Sequence, residues 1–266
     1  MKNVVKEYKE DGFCIFKSVL DINTCNELKN YLSTLKVKRW IPFSNIPWGW
    51  GSLIGKGPFD KVINNKILNG FFETLFVNKK YIFPNMMINN KAPWISLDVE
   101  WHREIFNVDT YAPGYSFKDW ENLARIYIAL DDQTKENGCL QLYSKSHTVD
   151  KLPYEDIIDC NFGHKRRVTS EGMNLVSKTC KHIYCEMDFG DMLIFNDRIV
   201  HGSNTNKTSH ERKSIVLGVR NDIKKSDKNI YEKATSFRRQ FIIDNLEKRI
   251  NEIKTENMYN DFNKEK

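Results

Sequence analysis

The chain has 266 residues, 41 Lys+Arg against 35 Asp+Glu for a net charge of +6, and 40% apolar residues. That length accommodates one large domain or two small ones, with enough chain for a full core, and 29% charged residues with only 7 Pro and 13 Gly exclude collagen-like, low-complexity and disordered classes. Cations are interspersed with anions and the longest basic run is Lys165-Arg166-Arg167, so no basic stripe marks a nucleic-acid partner.

Met1-Lys2-Asn3-Val4-Val5-Lys6-Glu7 carries no apolar secretory core, and no apolar run approaches the ~20 residues that cross a bilayer. The expected location is the cytoplasm, without a membrane partner and with the six cysteines reduced. Cys180 and Cys185 flank His182, but without the spacing or the second ligand pair of a zinc knuckle.

In chain order, Glu10-Asp11-Gly12 reads as an acidic turn before a short strand, Phe13-Cys14-Ile15-Phe16. Asp21 is placed to cap a helix carrying Leu28, Tyr31 and Leu32 at helical spacing. A second helical stretch covers Ile67–Phe76. Trp40, Trp48 and Trp50 fit either an aromatic entry wall or a satellite core. From Tyr81 onward the texture is β-type, with strands expected over 81–89, 96–104, 123–130, 138–143, 187–195 and 213–220. Turn chemistry separates them, as in Glu136-Asn137-Gly138 and Phe189-Gly190-Asp191. Short strands without regular intervening helices predict an antiparallel sandwich or barrel. The polar stretch 154–181 reads as an insertion over one mouth of that barrel, a lid. Helical period returns over 231–256. The whole chain, 1–266, is expected to form one domain with its core at about 81–220.

Chemistry concentrates at Trp101-His102-Arg103-Glu104. On a strand, residues i and i+2 share a face, so His102 and Glu104 present an imidazole and a carboxylate side by side. A second imidazole, His201, follows another β run in Val200-His201-Gly202-Ser203. Two histidines and one carboxylate form the facial triad of non-haem Fe(II) oxygenases, which leaves coordination positions open. Arg212 follows His201 by eleven residues and opens the last strand. It reads either as a solvated loop-end residue or as a guanidinium gripping a dicarboxylate whose other end chelates the metal.

These motifs fall in a recognisable order. Tyr8-Lys9-Glu10-Asp11-Gly12-Phe13 is followed by Trp101-His102-Arg103-Glu104, Ala129-Leu130-Asp131-Asp132, Glu136-Asn137-Gly138-Cys139-Leu140, Ser144-Lys145-Ser146-His147, Gly190-Asp191, His201-Gly202-Ser203, Asn206 and Arg212. In this the chain resembles the phytanoyl-CoA dioxygenase (PhyH) family of Fe(II)/2-oxoglutarate oxygenases over nearly its whole length. The resemblance implies a mainly β fold with flanking helices, built on a double-stranded β-helix or cupin-like jelly roll. It implies His102, Glu104 and His201 as iron ligands, Arg212 on the distal carboxylate of 2-oxoglutarate, and Ser203 and Tyr127 beside that cosubstrate, with O2 as the second cosubstrate. Two positions depart from the family pattern: Glu104 stands where aspartate is more usual, and Arg103 where glutamine is. Family halogenases lack the carboxylate, so Glu104 argues against halogenation.

Strand parity also addresses the substrate. Ala124, Ile126, Ile128 and Leu130 form one apolar face that suits packing under helices, which turns Arg125 and Tyr127 the other way. An inward arginine requires an anion. Arg125, helped by Arg103 or Arg220, is expected to bind a carboxylate or phosphate on a small-molecule substrate, or else these arginines pair with internal acids such as Asp98 or Glu100 or remain at the barrel rim. The expected activity is oxidation of an unactivated C–H bond with release of succinate and CO2, hydroxylation first. The same site could support cyclisation or desaturation, and a jelly roll of this kind could also serve as a non-catalytic sensor.

Overall fold

The computed structural model describes residues 1–34, 57–77, 81, 83, 86–94, 96, 98–104, 123–156 and 166–219. Arg220, the helical stretch 231–256, the tryptophans at 40, 48 and 50, and part of the expected lid (157–165) lie outside them.

Four helices precede most of the sheet. Helix α1 (Lys2–Asp11) ends where Gly12 adopts φ 85° and donates its N–H to Tyr8 O, a left-handed cap that glycine accepts without steric cost. The acidic residues expected to form a free turn are therefore the last turn of a helix. Helix α2 (Ile22–Thr34) begins at Asp21, whose Oδ1 accepts the Thr24 N–H at 2.8 Å, as the sequence predicts. Helix α3 (Asp60–Ile63) leads to α4 (Lys66–Leu75), capped by Asn65 through the N–H groups of Ile67 and Leu68.

Eleven strands follow in the described residues: β1 (Phe13–Phe16), β2 (Met86–Lys91), β3 (Val99–His102), β4 (Ala124–Ala129), β5 (Leu140–Ser144), β6 (Tyr154–Asp156), β7 (Arg166–Val168), β8 (Lys181–Tyr184), β9 (Met192–Asn196), β10 (His201–Ser203) and β11 (Arg212–Val219). They form a five-stranded sheet in the order β1-β9-β4-β11-β2 and a four-stranded sheet in the order β3-β10-β5-β8, with β6 and β7 as a separate hairpin. All pairings are antiparallel. Setting β1 aside, four strands of each sheet make the two layers of a jelly roll.

The larger sheet divides its residues by parity. Its outer face carries Ala124, Ile126 and Ile128 from β4, Ile215, Leu217 and Val219 from β11, and Met192 and Ile194 from β9. These pack beneath the helices with Val5, Tyr8, Leu28, Leu68, Phe71 and Phe72. Phe71 sits edge-on to Tyr8, Phe16 and Phe72 at centroid distances of 5.3, 5.8 and 5.1 Å. Each fully buried aliphatic or aromatic side chain here contributes roughly 1.5–3 kcal/mol of transfer free energy, so this layer is the main source of stability. The inner face looks toward the smaller sheet and holds the site.

The segment after β5 corrects the expectation of an irregular lid. Residues 166–179 supply β7 and a helix, α5 (Ser170–Thr179), whose N-cap Thr169 accepts the Gly172 N–H. Val168 and Val176 join Leu152 and Val200 in a small apolar cluster backed by Trp101 and Tyr143. Trp101 and Tyr143 alternate with the inward residues His102 and Leu142, so this cluster covers the outer face of the smaller sheet. Its described part packs against the back of the site strands.

Candidate metal and cosubstrate site

Strands β3 and β10 bring the two histidines together. His201 is in register with His102 on one side and Leu142 on the other, and the two imidazole centroids lie 4.2 Å apart. The strands approach closely because position 202 is glycine; a Cβ there would stand 2.7 Å from Val99 O. Glu104 stands two residues beyond the end of β3. Its backbone N–H donates to Asp197 O at 3.1 Å, tying it to the turn between β9 and β10.

Ligand atoms of His102, Glu104 and His201 all lie within 4.8 Å of one another. Glu104 Oε1 is 3.6 Å from His201 Nε2 and 4.0 Å from His102 Nε2. An octahedral ion with bonds near 2.1 Å places neighbouring donors about 3 Å apart, so side-chain adjustments of under about an ångström close the triangle around a metal. The second contacts of both rings are right for that task. His102 Nδ1 lies 2.6 Å from Glu100 O, and His201 Nδ1 lies 3.0 Å from Ile199 O. Each carbonyl fixes the proton on Nδ1 and aims the Nε2 lone pair at the triangle. Burial opposes ionisation of Glu104 most strongly, but the Arg125 guanidinium leads the groups that outweigh it and hold the carboxyl well below the usual range. It therefore stays an anionic oxygen donor.

A turn behind these strands explains one motif. Ser146 Oγ accepts the N–H of Val200, the residue before His201, at 2.8 Å. Ser146 O and Val149 O accept from Arg103 Nη2 at 2.6 and 2.7 Å. Arg103 is fully buried and points to the side opposite His102 and Glu104. This corrects its assignment as a substrate residue: it braces the metal-bearing strand from behind.

The inner face of β11 carries the cosubstrate candidate. Arg212 is 1% exposed, and Nη1 donates to Gln133 Oε1 at 2.7 Å and to Ser214 Oγ at 3.2 Å. Gln133 is held in turn by the carbonyls of Asp131 and Lys213. Arg212 Nε has no hydrogen-bond partner among the described residues, and neither has Asn89 Oδ1 on the neighbouring strand. Unmet buried polar atoms are rare in native interiors and mark a place where a polar ligand belongs. With Nη1 fixed from behind, the guanidinium presents its Nε side, which suits a carboxylate. Burial lowers Arg212 to about 10, with Tyr127 opposing that shift, so it remains a cation at neutral pH. Tyr127 is half-buried on this face; desolvation first, and then the Glu104 charge, raise its pKa and keep it a neutral phenol. Ser203 lies two residues beyond His201 on β10 and is 8% exposed.

Sequence reasoning missed Lys91. It pairs in register with Arg212, is fully buried, and donates from Nζ to Asn204 O at 2.6 Å. Burial, and then Arg212, hold it well below the ordinary ammonium range. Its strand extends two residues past the expected end, and that extension is what brings Lys91 opposite Arg212, on the face that also carries Asn89.

Arg125 does face inward, as parity requires, but its guanidinium is already engaged. Nη2 donates to Glu104 Oε2 at 3.0 Å, and Nε lies 3.3 Å from Asp197 Oδ1. Its partners here are internal acids, Glu104 and Asp197, and not the Asp98 or Glu100 that the sequence suggested.

Comparison with known proteins agrees with this geometry. The model of the phytanoyl-CoA dioxygenase (PhyH) family matches residues 59–214, which include the triad and Arg212. No curated protein matches the sequence. Among solved structures, EctD from S. alaskensis with 2-oxoglutarate and 5-hydroxyectoine superposes with a TM-score of 0.66 at 14% identity, over 85% of this chain and 79% of that one. The epimerase SnoN in complex with Fe3+, alpha ketoglutarate and nogalamycin RO gives 0.62 at 15% identity, over 83% of each chain. The non-heme monooxygenase ThoJ gives 0.58 at 14% identity, over 92% of this chain and 99% of that one. At these identities the superpositions establish the shared jelly-roll fold.

Proposed function

The chain belongs to the phytanoyl-CoA dioxygenase family, and from that premise we propose that it hydroxylates an unactivated C–H bond of a small molecule, consuming 2-oxoglutarate and O2 and releasing succinate and CO2. It is a non-haem Fe(II)- and 2-oxoglutarate-dependent enzyme. The observation that carries the reading is the presence, on facing inner surfaces of one jelly roll, of a His-Glu-His triangle and a buried arginine with an unmet Nε.

Iron and 2-oxoglutarate, when bound, supply the oxidising power for the reaction. The protein's own groups do the rest. His102 and His201 offer neutral Nε2 atoms because backbone carbonyls hold their Nδ1 protons. Glu104 offers one carboxylate oxygen. Arg212, backed by Gln133 and Ser214, receives the far carboxylate of the cosubstrate and sets its distance from the triad. Ser203 and the un-ionised Tyr127 are available as hydroxyl donors to the same molecule. Leu193, Phe195 and Ile199, packed with Ile15 and Phe13, form an apolar wall that limits water near the His201 ring, whose centroid is 4.7 Å from that of Phe195. A dry wall beside a charged centre strengthens its electrostatics and suppresses side reactions.

The test is anaerobic loading with Fe(II) and 2-oxoglutarate, admission of O2, and measurement of succinate across a panel of small molecules. Succinate should form with the native chain and fall to background in His201→Ala, and the organic product should gain one oxygen atom. A product short of two hydrogens would replace hydroxylation by desaturation or cyclisation. Succinate no higher than in His201→Ala would remove the enzyme reading.

A further inference from the structure

Glu104 has its two carboxylate oxygens divided between different partners. Oε1 faces the histidines at 3.6 and 4.0 Å. Oε2 accepts from Arg125 Nη2 at 3.0 Å. Arg125 Nε in turn lies 3.3 Å from Asp197 Oδ1, and Asp197 O accepts the backbone N–H of Glu104 at 3.1 Å. The contacts close a ring running from the Glu104 backbone through Asp197 and Arg125 to the Glu104 carboxylate. The side chains are 13%, 5% and 15% exposed for Glu104, Asp197 and Arg125, so solvent screens them little.

A glutamate reaches a metal through one more rotatable bond than an aspartate, and its carboxylate can bind through one oxygen or both. A site with three protein donors and open positions needs a single oxygen from it. We propose that Arg125, balanced by Asp197, is a positioning residue that holds Glu104 as a one-oxygen metal ligand. The planar guanidinium suits the task because its donors are fixed in direction. Asp197 supplies the second negative charge, so that Arg125 is not left as an uncompensated cation when Glu104 turns its charge to a metal ion. This rests on the reading of the triad as a metal centre.

Two explanations of Arg125 predict opposite signs. A cation merely near a dication weakens its binding, so removing it would tighten the metal. A positioning cation, when removed, lets Glu104 reorient and weakens the metal. The experiment measures Mn(II), a stand-in without redox turnover, by titration calorimetry on the full chain, with circular dichroism to confirm folding. Native protein should bind one Mn(II), and His201→Ala should lose it. Arg125→Lys keeps the charge balance but not the fork, and should weaken Mn(II) about ten- to a hundredfold, the range typical of groups that orient metal ligands. Arg125→Gln should weaken it at least as much. In a Glu104→Asp background, whose shorter arm withdraws from Arg125, Arg125→Lys should add no further loss. Mn(II) binding equal to or tighter than native in Arg125→Lys or Arg125→Gln overturns the proposal and leaves the metal centre standing. Absence of Mn(II) binding by the native chain, or its survival in His201→Ala, overturns the metal centre and the proposal with it.

Discussion

The two faces of the larger sheet are made from the same strands, yet only the inner one mixes charged and polar side chains with its apolar ones. Outward, β4 contributes Ala124, Ile126 and Ile128 and β11 contributes Ile215, Leu217 and Val219, all packed beneath helices. Inward, the alternate residues are Arg125 and Tyr127 on β4 and Arg212 and Ser214 on β11. A buried guanidinium without a full complement of acceptors costs several kcal/mol. Nothing in the packing of the sheet requires that cost, and the outer face supplies the stability that tolerates it. The inner residues are thus explained by what they bind, and the outer ones by what they cover.

That division can be broken first where its effect is largest. Ile126→Ala removes a fully buried side chain from the outer face and should destabilise the fold by about 2–5 kcal/mol, read by denaturant unfolding. Calorimetric 2-oxoglutarate affinity of the folded protein should be unchanged, and a large affinity loss would show that the faces are coupled. Arg212→Gln should do the reverse. With the cation gone, 2-oxoglutarate affinity should fall by roughly a hundredfold, equivalent to about 2.7 kcal/mol. Thermal stability should hold or rise, because a buried charge lacking a partner on Nε has been removed. A smaller step tests how the guanidinium is aimed. Gln133→Leu leaves the charge in place but removes the acceptor at 2.7 Å, and should weaken 2-oxoglutarate about tenfold.

Much of the inner face is legible from the chain, because strand parity is a local rule. His102 and Glu104 fall on one side by i, i+2 spacing, and the apolar alternation of β4 settles which way Arg125 and Tyr127 point. The same rule, applied one residue over, places Arg103 on the far side of its strand, where Ser146 and Val149 receive it. What could not be read was tertiary. Asp197 reaches Arg125 from a turn distant in sequence, and Lys91 meets Arg212 only through a register between strands. Helix α1 offers only Val4, Val5 and Tyr8 as large apolar residues and α5 only Met173, Leu175 and Val176, whereas α2 carries Leu28, Tyr31 and Leu32 at helical spacing. Three apolar residues in ten leave too narrow a stripe for a periodic signal.

The comparison extends to a third surface, the outer face of the smaller sheet, where α5 and β7 cover Trp101 and Tyr143. This patch lies directly behind His102 and His201, separated from them by one thickness of strand. If it acts only as cover, weakening it should lower stability and leave chemistry alone. Thr169→Ala deletes the hydroxyl that accepts the Gly172 N–H at 3.1 Å, and loss of such a cap costs about 1 kcal/mol. Unfolding by denaturant should shift by that amount while the apparent KM for 2-oxoglutarate stays within about twofold. A larger rise in KM would mean that α5 helps set the spacing of β3 and β10, so that part of the metal geometry depends on the layer behind it.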